Sequence, residues 1–192
     1  MKITYYLLGI VLIFTSCTNK VAKLDDNQRN EYLKIGDSIS LETQKILLSN
    51  VSRQIQQNGV IAALDFCNTH ALSLTNTLTT KGIQVQRLTD KNRNPNNLIH
   101  DDLDRKAWEQ LKNNFSSDNT SETLVLEDED KVYYYKSIPL GMPACLNCHG
   151  SKQNEISAEV QEVLRIKYPD DRATDYKLGE LRGMWKLTFE RR

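Results

Sequence analysis

The chain has 192 residues, of which 39% are hydrophobic and 26% are charged. This length and composition predict one globular domain and exclude an intrinsically disordered chain. The 25 basic side chains equal the 25 acidic ones in number, so there is no large positive field to attract nucleic acid, and nucleic-acid binding is excluded.

The N-terminus has the pattern of an export leader. Lys2 precedes an apolar run over residues 5–14, which is too short to cross a bilayer as a helix. The small residues before Cys17 resemble the lipobox of bacterial lipoproteins. We therefore expect a signal peptide over residues 1–16, a lipid on Cys17 and a polar spacer over residues 17–26. Ordinary secretion without a lipid is the alternative. The lipid would anchor the protein in the bacterial cell envelope, on the periplasmic or the outer surface.

Two helices are predicted in the first part of the domain. Residues 27–57 contain no Pro and only one Gly, which favours a long N-terminal helix, and Asn58-Gly59 should end it. The next segment repeats apolar residues at spacings of three and four, so they line one face of a second helix. That face carries Val60, Ala63, Leu64, Cys67, Ala71 and Leu74.

The remainder of the chain alternates between strand and helix patterns. Short runs with period-two alternation or β-favouring residues predict strands, and Tyr133, Tyr134 and Tyr135 should alternate between core and solvent in one of them. The predicted strands are 83–87, 123–126, 132–138 and 184–189, and the predicted helices are 104–115 and 156–166. Residues 27–192 are thus predicted to form one α+β domain with an antiparallel sheet.

Residues 145–149 read Cys-Leu-Asn-Cys-His. In an exported protein this is the attachment pattern of c-type haem, because two thiols three positions apart can each form a thioether to a vinyl group. The adjacent His149 would then ligate the iron through one ring nitrogen, while the other bonds a carbonyl that fixes the ring. The sequence therefore predicts one covalently bound haem c, attached at Cys145 and Cys148.

Two other interpretations of these residues remain. The Cys-x-x-Cys pair could form a disulfide or a thioredoxin-like redox pair, although it lies late in the chain. Alternatively, Cys67 and His70 could join Cys145 and Cys148 in a Cys₃His structural zinc site. The zinc site would leave His149 unexplained, so haem is favoured.

Cys67 has no partner once the other three cysteines are assigned. From the residues alone it is a small buried hydrophobe on a helix face or a ligand of the haem iron. The rival sixth ligands are His70, Met142 and Met184.

Several segments resemble a family of single-haem c-type proteins with a PAS-like fold, long known only as a domain of unknown function. The resemblance covers about residues 30–192. It is carried by residues 62–67 (Ala-Ala-Leu-Asp-Phe-Cys), 93–97 (Arg-Asn-Pro-Asn-Asn), 145–150, 168–173 and 179–183. It implies a PAS-like antiparallel sheet with flanking helices and a long N-terminal helix. It also implies that His149 and Cys67 ligate the iron from opposite sides.

This ligation would give a six-coordinate haem of low potential, because a thiolate stabilises ferric iron. One-electron transfer with a redox partner protein is the favoured function, on a membrane surface reached through the lipid anchor. The alternative is a redox or gas sensor in which NO or CO displaces Cys67. Enzymatic activity is not expected, since both axial positions are filled. Arg93 and Arg182 are candidates for pairing with the haem propionates.

Overall fold

The computed structural model describes residues 22–76, 82–118 and 122–191, with side chains described except at 71–76 and 116–118. The predicted signal peptide, residues 1–16, and Cys17 lie outside the described residues. In the described part of the chain, no helix is both long enough and apolar enough to cross a membrane.

The domain begins with one long helix, α1, which runs from Asp26 to Asn76. The predicted break at Gly59 is confirmed, but it kinks the helix and does not end it. Gly59 has φ 84° and ψ 174°, a conformation that is almost exclusive to glycine. The two predicted helices are therefore two halves of α1, and Cys67 lies in the second half.

The remaining elements of the described residues form a four-stranded sheet with three more helices. All strand pairs are antiparallel, and the order across the sheet is β1-β4-β3-β2. The strands are β1 (Gln84–Leu88), β2 (Thr123–Glu127), β3 (Lys131–Pro139) and β4 (Leu181–Glu190), and the helices are α2 (Asp102–Asp118), α3 (Leu146–His149) and α4 (Ala158–Lys167). The predicted α+β fold, with its antiparallel sheet and long N-terminal helix, is confirmed.

Helices cover both faces of the sheet. The apolar cluster on one face includes Val85 and Tyr134 and packs against α1, while the other face includes Leu88 and Tyr135 and packs against α2. The expectation that the β3 tyrosines alternate between core and solvent is therefore wrong for Tyr134 and Tyr135, which are both fully buried. Neighbouring strand residues point to opposite faces, and here each face has a helix to pack against.

A third apolar cluster joins the second half of α1 to α4. Leu64 packs there with Ile156, Val160 and Leu164, and Cys148 contacts the same cluster. Burial of these side chains contributes roughly 1.5 to 3 kcal/mol each to folding. The Cys67 half of α1, the Cys-x-x-Cys-His segment and α4 are thus held at one end of the sheet.

Candidate functional site

The Cys-x-x-Cys-His segment folds into two short consecutive helical turns. Pro143 starts a 3₁₀ turn that ends at Cys145, and α3 follows directly, from Leu146 to His149. Proline suits the first position of such a turn because it needs no backbone N–H there. Cys145 and Cys148 are free, partly buried thiols, so the disulfide interpretation does not describe this structure. Burial raises the pKa of Cys148 to about 11.

The His149 ring is oriented by one carbonyl contact. Its Nδ1 lies 2.8 Å from the carbonyl oxygen of Ala173, as the sequence predicted for an iron ligand. A carbonyl only accepts hydrogen bonds, so Nδ1 carries the proton and Nε2 keeps its lone pair. Burial, with the charges of Arg93 and Arg182, holds the pKa of His149 well below its usual value of 6.5. The imidazole is therefore neutral and can bind a metal.

Arg93 ties the Cys-x-x-Cys-His segment to the chain before β4. Its Nη2 donates to the carbonyl oxygen of Cys148 at 2.6 Å, and its Nε donates to Asp171 Oδ2 at 3.1 Å. The Arg93–Asp171 pair is largely buried. The backbone N–H of Tyr176 also donates to the carbonyl oxygen of His149. Arg93, a predicted propionate partner, thus directs these donors to the protein itself.

Two further arginines lie near the same site, and each has a hydrogen-bond donor that is not used. Arg182 donates through Nη1 to Thr89 Oγ1 and to the carbonyl oxygen of Lys91. The Nε atoms of Arg182 and Arg87 are buried, and neither has a hydrogen-bond partner among the described residues. Burial lowers the pKa of both guanidinium groups. Unsatisfied buried donors of this kind are rare in folded proteins.

The sequence motifs do not mark Arg87 as a site residue. It lies in β1 two positions after the buried Val85, and residues two apart in a strand share a face. The alternation of side chains along β1 could have indicated Arg87, because it places this arginine on the same sheet face as Val85, which α1 covers.

Cys67 is half-buried on the second half of α1. Burial raises the pKa of its thiol, while Arg87 and Arg93 act in the opposite direction. The charge of Arg93 also influences Cys148 and His149. Cys67, Cys148 and His149 therefore all lie within the electrostatic influence of Arg93.

The rival iron ligands differ from Cys67 in exposure or in the sheet face that they occupy. His70 is exposed, stacks on Phe66 with ring centroids 5.0 Å apart, and contacts Thr69 through Nδ1. Met142 is exposed. Met184 is fully buried in the cluster on the α2 face of the sheet, opposite the face that α1 covers.

The alternative Cys₃His zinc site is not assembled. Across residues 22–76, 82–118 and 122–191, no three His, Cys, Asp or Glu side chains are grouped so that they could hold a metal ion. The four side chains of that alternative, Cys67, His70, Cys145 and Cys148, all lie within these ranges.

The fold and the site together define a class of α+β proteins that carry a Cys-x-x-Cys-His segment beside a long kinked helix. Within that class, the chain belongs to the Tll0287-like family, whose sequence model matches residues 20–189. This confirms the predicted relationship to a family of haem proteins.

A solved structure agrees with the family assignment. The chain is 25% identical to the cyanobacterial heme-protein Tll0287, with a TM-score of 0.61. The match covers 84% of this chain and 96% of that one. No curated protein sequence matches the chain.

Proposed function

We propose that the chain is an exported c-type haem protein that transfers single electrons. The observation that carries this proposal is the geometry of His149, a neutral imidazole fixed through Nδ1 and placed directly after two free thiols. The similarity to a cyanobacterial heme-protein supports it. When bound, the haem supplies a one-electron ferric/ferrous couple.

The residues of the site suit this group. Cys145 and Cys148 would form the thioethers, each S–H adding across a vinyl group. His149 would hold the iron through Nε2, and Cys67 would hold it through its sulfur. The buried, unsatisfied Nε atoms of Arg87 and Arg182 fit an anionic group that the protein alone does not supply. A thiolate and an imidazole together favour a six-coordinate haem of low potential.

The proposed setting is the surface of a membrane in the bacterial cell envelope. A lipid on Cys17 would tether the domain, and each buried CH₂ of an acyl chain adds roughly 0.8 kcal/mol to membrane binding. The electron donor or acceptor would then be a redox partner protein at the same surface.

The experiment that tests this function is haem analysis of protein made together with the periplasmic haem-attachment machinery. We expect one haem per chain, which stays bound after denaturation and gives the pyridine haemochrome spectrum of two thioether links. Cys145→Ser and Cys148→Ser should each lose one link. Exposed His70→Ala is the matched control and should keep both. Colourless protein, or protein containing zinc, would overturn the proposal.

A second candidate function is sensing of NO, CO or redox state. The kink at Gly59 favours it, because the helix half that carries Cys67 is joined to the rest of α1 at a residue with non-helical φ and ψ. A sensor would release Cys67 when the haem is reduced. Rapid CO binding after dithionite reduction would support the sensor, and unchanged six-coordinate spectra would support the electron carrier.

A further inference from the structure

Three arginine side chains approach His149 from different elements. Arg87 comes from β1, Arg93 from the segment after β1, and Arg182 from the start of β4, and all three charges act on the imidazole. Like charges at close range repel each other, and burying them unpaired is costly. The chain therefore needs a reason to keep all three.

The three arginines differ in how their donors are used. Arg93 donates to Asp171, to Cys148 and to the carbonyl oxygen of Ala173. These donors of Arg93 all have acceptors within the protein, and they hold the Cys-x-x-Cys-His segment in place. Arg87 and Arg182, by contrast, each keep a buried Nε for which the described residues offer no acceptor.

The count of charges also singles out Arg87 and Arg182. One carboxylate, Asp171, forms an ion pair with this trio in the described chain, and its partner is Arg93. The charges of Arg87 and Arg182 are left over. A Cys67 thiolate and a ferric porphyrin core carry opposite unit charges, so they do not alter this count. The surplus equals the charge of two carboxylates.

We infer that Arg87 and Arg182 form a buried carboxylate-binding pair whose ligands are the two haem propionates. This inference rests on the haem protein proposed above. The two arginines that bind the propionates are then Arg87 and Arg182, and not Arg93 and Arg182 as the sequence alone indicated. The planar guanidinium group suits this role, because its donors match the geometry of a carboxylate. Arg93 is then a positioning residue for the attachment segment.

The test compares Arg87→Gln and Arg182→Gln in the haem-loaded protein. In each, we expect the propionate bending mode in resonance Raman spectra to shift, because a hydrogen bond to one carboxylate is lost. Losing a nearby positive charge also favours ferric iron. We expect the ferric/ferrous ratio at a fixed potential to rise about tenfold. This corresponds to a midpoint potential about 59 mV lower for a one-electron couple.

Two further variants sharpen the comparison. Arg53→Gln removes the same charge from an exposed position on α1, and it should leave the potential and the bending mode at their wild-type values. Arg87→Lys keeps the charge without the planar donors. Its midpoint potential should stay close to the wild-type value, but its propionate bending mode should shift. If Arg87→Gln does not fold, Arg87→Lys provides the test.

Each outcome separates this inference from the proposed function. Haem-loaded variants of Arg87 and Arg182 with wild-type potential and bending mode would overturn the propionate assignment alone. Wild-type protein without covalent haem would overturn the proposed function, and the inference with it.

Discussion

At the scale of single residues, the burial of His149 couples the site to pH. The folded protein holds the pKa of His149 well below 6.5, whereas the unfolded chain has the ordinary value. Below about pH 6.5 the unfolded chain therefore binds more protons, so stability present above that pH is lost as the pH falls toward the lower folded pKa. The slope is up to about 1.4 kcal/mol per pH unit for one group.

Urea unfolding of the haem-free Cys145→Ser/Cys148→Ser protein, at about pH 7.5 and about pH 5.5, measures this loss. His149→Gln in the same background should reduce the pH dependence, because glutamine does not titrate. The exposed His70→Ala is the control and should retain it. Equal pH dependence with and without His149 would contradict the prediction.

As a proposed ligand of the haem iron, Cys67 would have the most direct effect on the electronic properties of the haem. Replacing Cys67 with Ser removes a thiolate that stabilises ferric iron, so the ferric Soret band should shift and the midpoint potential should rise. Optical spectra and a redox titration measure both changes. A Soret band that stays unchanged in Cys67→Ser would mean that Cys67 is not a ligand.

At the scale of elements, the kink at Gly59 determines where the Cys67 half of α1 lies. An alanine at Gly59 would either strain the backbone, at a cost of roughly 1 to 3 kcal/mol, or straighten the helix and carry Cys67 away from His149. We expect Gly59→Ala to lower the melting temperature and to move the Soret band in the direction of Cys67→Ser. The exposed neighbour Gln57→Ala should do neither, and equal spectra for both variants would rule out this role for the kink.

Elements with a clear local pattern were predictable from sequence. The four strands and the helices α2 and α4 lie within a few residues of their predicted positions, because their periodicity is set by neighbours along the chain. The short α3 was missed, since four residues are too few to show a period. The burial of both Tyr134 and Tyr135 was also missed, because it depends on helices from distant parts of the sequence.

The candidate site also contains residues that local sequence predicts and residues that only the fold reveals. Cys145, Cys148 and His149 are adjacent, so their spacing alone indicates the chemistry. The alternation in β1 places Arg87 on the same face as Val85, but its place in the site follows only when β1 pairs with β4 and α1 covers that face. Nothing along the chain shows that the donors of Arg93 are directed at Asp171, 78 residues away.

At the scale of the whole molecule, two parallel networks tie the helices to the sheet. On the α1 face, Tyr134 and Lys136 both donate to Asp37. On the α2 face, Tyr135 and Lys186 both donate to Asp104. The side chain of Asp37 is 49% exposed and that of Asp104 is 5% exposed. The same chemistry is thus present once at the surface and once in the interior.

This difference predicts unequal costs for the same substitution. Asp104→Asn leaves the buried Lys186 charge with only the more distant, exposed carboxylate of Asp101, at 3.8 Å, which should cost about 3 to 5 kcal/mol. Asp37→Asn breaks an ion pair whose carboxylate is half exposed, and it should cost about 0 to 1 kcal/mol. Urea unfolding of the two variants measures the difference, and a larger loss for Asp37→Asn would contradict it. Since Asp104 lies across the sheet from Cys67, folded Asp104→Asn should keep the wild-type Soret band, which separates stability of the domain from ligation at the site.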